Sequence, residues 1–180
     1  MVKEKGKQGA SQRMKLRLEE IPAEVHERVG EALYVAQRLE WALVCHLLVL
    51  RSRGQVITPE MIDSVESELE KMTLGQLIRE LNAQTGTDPS AENTLVRALK
   101  FRNHIAHHFY KSYGNSASQR VQSALMLNRL DHMALELRSA VGLMQHWTEA
   151  LAFASKVDIG VIQRDYDARL SLLSSERFQV

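Results

Sequence analysis

From Val25 to Leu47 apolar residues recur three and four positions apart: Val25, Val29, Ala32, Leu33, Ala36, Leu39, Leu43 and Leu47. That spacing lines one face of an α-helix and neither face of a strand. Toward its end the segment Trp41-Ala42-Leu43-Val44-Cys45-His46-Leu47-Leu48-Val49-Leu50 is apolar nearly all round. Such a helix end belongs in the buried centre of a bundle. The ten-residue run contains His46 and falls short of the roughly 20 residues that span a bilayer. Arg51, Arg53 and Gly54 form a helix stop, with cations at the carboxyl end and glycine beyond it. Glu31 and Glu40 lie on the same helix. Glu40, beside Trp41, stands either on the surface or turned inward toward a cation.

The remaining punctuation is also helical. Pro22 fits the first turn of the first helix. Thr58-Pro59-Glu60 is a cap residue, a proline and an acid in the order a helix start requires, with Met61, Ile62, Val65 and Leu69 inward. Leu74, Leu77, Ile78 and Leu81 mark a short helix, and Thr85-Gly86-Thr87 a loop. Asp88-Pro89 repeats the cap-plus-proline device ahead of Leu95, Leu99 and Phe101. Gly114-Asn115-Ser116 breaks that helix. A long one follows from Ser116 or Ser118, its inward stripe running through Val121, Leu125, Met126, Leu130, Met133, Leu137, Val141, Met144 and Trp147 to Leu151. Gly142 is the place for it to bend, and Asp158-Ile159-Gly160 closes it. No strand-period alternation, internal repeat or low-complexity linker interrupts the pattern.

The expected fold is therefore all-α, an up-and-down bundle of about five helices over residues 21–158. A basic arm (residues 1–20, with Lys3, Lys5, Lys7, Arg13, Lys15 and Arg17) precedes it, and a short helix and tail (residues 159–180) follow. A chain of 180 residues can bury a substantial core, and few prolines and glycines with abundant Leu, Ala, Glu, Arg and Gln favour helix. The net charge of +1 gives no global signature of a nucleic-acid binder and leaves room for a local basic patch. One cysteine, Cys45, excludes an intrachain disulfide and suits a reducing compartment. With no apolar core after the N-terminal lysines, the expected location is the cytoplasm, with no membrane partner.

Chemistry concentrates in Arg102-Asn103-His104-Ile105-Ala106-His107-His108-Phe109-Tyr110, which holds three of the seven histidines. On a helix Asn103 neighbours His107 and His104 neighbours His108. Arginine supplies a permanently charged fork that matches phosphate oxygens, and histidine a proton donor or acceptor near neutral pH. Metal-free phosphodiester cleavage needs one group to take the ribose 2′-proton, one to protonate the leaving 5′-oxygen, and a cation on the crowded phosphate. Two copies of the chain facing each other would supply the full set. Three other readings stand beside this one. The histidines form an exposed polar helix end, or His104, His107 and His108 at i, i+3 and i+4 hold a metal, or Phe109 and Tyr110 serve packing alone.

Arg102-Asn103-x-x-Ala106-His107 resembles the R-x4–6-H motif of the HEPN superfamily (higher eukaryotes and prokaryotes nucleotide-binding). Leu95-Val96-x-Ala98-Leu99-x-x-Arg102-Asn103-x-x-Ala106-His107 resembles its third-helix signature, and Leu74-Gly75-x-Leu77-Ile78 is similar to family sequences. The resemblance covers roughly Val25 to Leu151. It implies a helical homodimer with the two motifs facing each other, and metal-independent endoribonuclease activity of a toxin or phage-defence kind. On that basis Arg102 binds phosphate, His107 is the acid/base residue, Asn103 orients both, and no cofactor is needed. One toxin branch reads R-x4-H-x-Y. Counted from His107 the tyrosine position is Phe109; counted from His108 it is Tyr110, and both registers stay open. In that branch the tyrosine is modified by a nucleotidyltransferase antitoxin, which makes such a protein an expected partner and Tyr110 an expected modification site. Other members act by binding alone, so a non-catalytic dimer serving a regulatory partner is the alternative.

Overall fold

The computed structural model of the chain describes residues 21–86, 88–113 and 119–177. These form an all-α bundle of seven helices with no strand among the described residues: α1 (Ala23–Ser52), α2 (Pro59–Leu69), α3 (Leu74–Thr85), α4 (Pro89–His107), α5 (Phe109–Tyr113), α6 (Gln119–Ser155) and α7 (Gly160–Arg177). Five correspond to the helices read from periodicity. The additional α5 arises because the helix is interrupted at His108 alone and resumes at Phe109. The carboxyl-terminal helix, expected to be short, runs 18 residues. The expected basic arm and the Gly114-Asn115-Ser116 break lie outside the described residues.

Local chemistry explains the boundaries. Thr58 caps α2, its hydroxyl accepting from the Met61 amide at 3.4 Å, with Pro59 at the first position. α3 starts with a reciprocal cap. The Gln76 amide donates to the Thr73 hydroxyl at 3.3 Å, and the Thr73 amide donates to the Gln76 side-chain oxygen at 2.7 Å. Replacing Thr73 with alanine removes half of that exchange, and chemical denaturation should register a loss of about 1 kcal/mol. Asp88 caps α4 through the amides of Ser90 and Ala91 at 3.0 and 3.3 Å. α1 ends where Arg53 and Gly54 both take positive φ, 51° and 77°. A non-glycine residue does the same after α6. Lys156 has φ 57°, and the Val157 amide reaches back to the Ala152 carbonyl at 2.9 Å. α6 stays helical through Gly142 for its 37 residues.

The chain divides at Ala36, Val96 and Arg138 into two compact units. The unit built from the start of α1, the end of α4, α5 and the first part of α6 carries the histidine segment. Its core holds Val25, Val29, Ala32, Val35, Ala98, Ile105, Phe109, Met126, Leu130, Met133 and Leu137. On its surface Arg28 bonds Glu31 at 2.9 Å, and Arg138 bonds the other Glu31 oxygen. These cations, Arg28 foremost, hold the Glu31 carboxyl below its usual range. Such exposed pairs contribute little to stability.

The other unit packs the rest of α1 with α2, α3, the start of α4, the end of α6 and α7. Its core is Leu39, Leu43, Leu47, Leu48, Ile62, Leu69, Leu74, Leu77, Ile78, Leu81, Leu95, Val141 and Met144. Arg51 at the end of α1 ties down two neighbours, Glu68 at 2.9 Å and Glu80 at 3.1 Å. Arg169 of α7 does the same for Asp63 at 2.7 Å and Glu66 at 3.1 Å. Inside the apolar stretch of α1, His46 is buried, with its Nδ1 3.1 Å from the Thr148 hydroxyl. By length and composition α1 is apolar enough to cross a membrane, and 56% of its most apolar window is buried in the fold.

Several sequence expectations are corrected by this packing. Trp41 sits at the surface of the apolar run, 37% exposed, and Leu125, assigned to the inward stripe of α6, is 57% exposed. Trp147 and Phe101 are half-buried rather than central, and Glu40 is half-buried too. Periodicity places a residue on a face. It does not say how far the neighbouring helix covers that face.

Candidate functional site

The histidine segment occupies the last two turns of α4 and the start of α5. Phe109 anchors it. Its ring is 1% exposed and stands edge-on to His104, with centroids 6.3 Å apart, and to Tyr110 at 5.5 Å. Ile105, 3% exposed, pins the preceding turn. With those two side chains inward, helical geometry turns Asn103, His107 and His108 outward, and all three are exposed. Arg102 and His104 are half-buried.

The contacts fall into three groups. Arg102 Nη1 donates to the Asn103 side-chain oxygen at 3.3 Å. The bond holds one edge of the guanidinium. The histidine rings form a chain, His104 to His108 with centroids 6.4 Å apart and His107 to His108 at 6.2 Å. Tyr110 turns to α1, its hydroxyl 2.7 Å from His26 Nδ1 and the two rings 5.5 Å apart. The hydroxyl expected as a modification site is thus engaged by a histidine from 84 residues away in the chain.

Electrostatics separate these groups further. Burial, then Arg129, then His108 push His104 below its usual pKa, so His104 is neutral at neutral pH. Its Nε2 is buried with no hydrogen-bond partner among the described residues. Burial raises the Tyr110 phenol, which keeps it protonated. Among the described residues no group of three or more His, Cys, Asp or Glu side chains is arranged to hold a metal ion. His104, His107 and His108 share a segment without converging on one point.

Two participants escaped sequence reasoning. His26 lies far off in the chain and gave no signal. Arg129 had one: between Glu92 and Asp131 there is no Asp or Glu, while Arg97, Lys100, Arg102, Lys111, Arg120 and Arg129 are all present. Net charge over the whole chain conceals that acid-free stretch. It brackets the histidine segment, and most of it belongs to the same compact unit. Comparison with family models, with curated proteins and with solved structures returned no match.

Proposed function

We propose that this protein is a metal-independent endoribonuclease of HEPN type, acting as a homodimer in toxin or phage-defence biology. The observation that carries the reading is one exposed helix end bearing Arg102, Asn103, His107 and His108 within a stretch of six cations and no acid. A segment rich in cations and free of acids attracts a polyanion, although Arg97 within it is paired with Glu136 at 3.4 Å, and the arginine fork and imidazoles are the groups that phosphodiester transfer needs.

In the proposed reaction one imidazole, His107 or His108, takes the proton of a ribose 2′-hydroxyl. The 2′-oxygen forms its bond to phosphorus as the bond to the 5′-oxygen breaks, and a second imidazole, from this chain or from the facing copy, protonates the leaving oxygen. Arg102, steadied by Asn103, neutralises the charge that builds on the phosphate. His104, held neutral and inward, serves packing rather than proton transfer. Tyr110, bonded to His26, joins the start of α1 to the site and remains the candidate contact for an antitoxin of nucleotidyltransferase type.

The test is incubation of purified protein with RNA in EDTA, wild type beside Arg102→Ala and His107→Ala. Cleavage that survives chelation and falls about a hundredfold in each variant is expected. A His108→Ala variant in the same assay assigns the motif histidine. Unchanged cleavage in the Arg102 and His107 variants sinks the reading.

One observation favours a second reading, a non-catalytic helical dimer that binds a regulatory partner. Leu125 and Leu135 of α6 stand 57 and 60% exposed, apolar side chains that a partner could cover. That reading expects the Arg102 and His107 variants to keep partner binding and cellular effect.

A further inference from the structure

A cavity of about 370 Å³ opens beside the second half of α1, far along the chain from the histidine segment. Its apolar side is formed by Trp41 and Cys45 from α1, Ile159 just before α7, and Ile162 within it, and Gln145, Thr148 and Gln163 add neutral polar lining. Burial pushes the Cys45 thiol up to about 12, so Cys45 is an apolar wall and not a nucleophile. Two charged side chains also line the cavity, Arg38 of α1 and Glu149 of α6. Both are exposed, and among the described residues neither has a hydrogen-bond or ion-pair partner. A cavity of this size with apolar walls and a few convergent polar groups is the usual form of a small-molecule site.

The two charges select the ligand. A simple anion would meet Glu149, a simple cation would meet Arg38, and a neutral molecule would gain from neither charge and leave both to water. A peptide end carries only one of the two charges. We propose that this cavity binds a free apolar α-amino acid, its carboxylate on Arg38, its ammonium on Glu149 and its side chain against Trp41 and Ile162. Charge-assisted hydrogen bonds at both ends give specificity, and burial of the side chain gives affinity. The site is independent of the ribonuclease reading, since none of its residues belongs to the histidine segment.

Trp41 is the reporter. It is partly exposed at the cavity and packs on Tyr166 with ring centroids 5.5 Å apart. The chain has two tryptophans, so a Trp147→Phe background isolates its emission. In the full chain, L-phenylalanine should shift that emission saturably and release or absorb heat in calorimetry. Neither 2-phenylethylamine, which lacks the carboxylate, nor 3-phenylpropionate, which lacks the ammonium, should bind within about tenfold of it. Arg38→Gln should weaken L-phenylalanine about tenfold and abolish its advantage over 2-phenylethylamine, and Glu149→Gln should do the same relative to 3-phenylpropionate. Both positions are exposed, so the variants should fold, and circular dichroism checks that they do. The proposal is overturned by no heat and no emission change with L-phenylalanine, by either analogue binding as tightly, or by indifference of both variants.

Discussion

Replacing Phe109 with alanine should cost about 3–5 kcal/mol of stability, the range for emptying a fully buried aromatic site. The ring is 1% exposed and packs edge-on against both His104 and Tyr110. Its removal leaves a hole under α5, which is only five residues long and has little stability of its own. The helix is interrupted at His108, so this side chain adds its packing to the Tyr110–His26 bond in holding the turn. Thermal unfolding should move down on the order of 10 °C. The Tyr110–His26 bond should be lost with it, readable as a change in the His26 imidazole resonances. Phe109→Leu, which keeps most of the volume, should cost only about 1–2 kcal/mol. Equal losses for the two variants would show that the ring's packing is not what holds α5.

The second large effect is acid sensitivity through His46. The Thr148 hydroxyl donates its one proton to the Met144 carbonyl at 2.7 Å. It can therefore only accept from His46, so Nδ1 carries the hydrogen and a second proton must enter at Nε2. The side chain is 4% exposed, and burial lowers its pKa to about 4 from an ordinary 6.5. Above pH 6.5 the folded and unfolded chains are both neutral at this site and the shift has no effect. Between pH 6.5 and 4 the unfolded chain takes up a proton that the folded chain refuses, so stability falls as pH falls. The loss is about 3 kcal/mol at pH 4 and levels off below it, once the folded chain is protonated too. His104 is shifted in the same direction and adds to the slope. His46→Asn keeps a donor near the Nδ1 position and cannot titrate. Denaturation midpoints followed from pH 7 to pH 4 should flatten in that variant, with the His104 part remaining. A slope identical to wild type would show that His46 is protonated in the fold at little cost.

Neutral His46 also shows where the sequence stopped being informative. Its ten-residue apolar neighbourhood implied burial, and burial was found. The partner that makes burial tolerable, Thr148, is 102 positions away and carries no local mark. The candidate site divides in the same way. Arg102, Asn103, His107 and His108 were legible because they are adjacent in the chain and a helix maps spacing onto faces. His26 was not, because tertiary packing alone brings α1 to that helix end, and Arg129 showed only as one cation of an acid-free stretch.

The sequence by itself determined that the chain is helical, where most helices start, and which residue types stand at the end of α4. Those properties follow from backbone caps, prolines, glycines and the 3.6-residue period, all of which act over a few neighbours. Only the tertiary structure decided that α4 is interrupted at His108, that Phe109 is the fully buried ring of the segment, and that Trp41 reaches the surface beside a cavity. Each of these depends on how much of a helix face its neighbours cover. That coverage is set by the summed packing of side chains far apart in the chain, which no short window of sequence records.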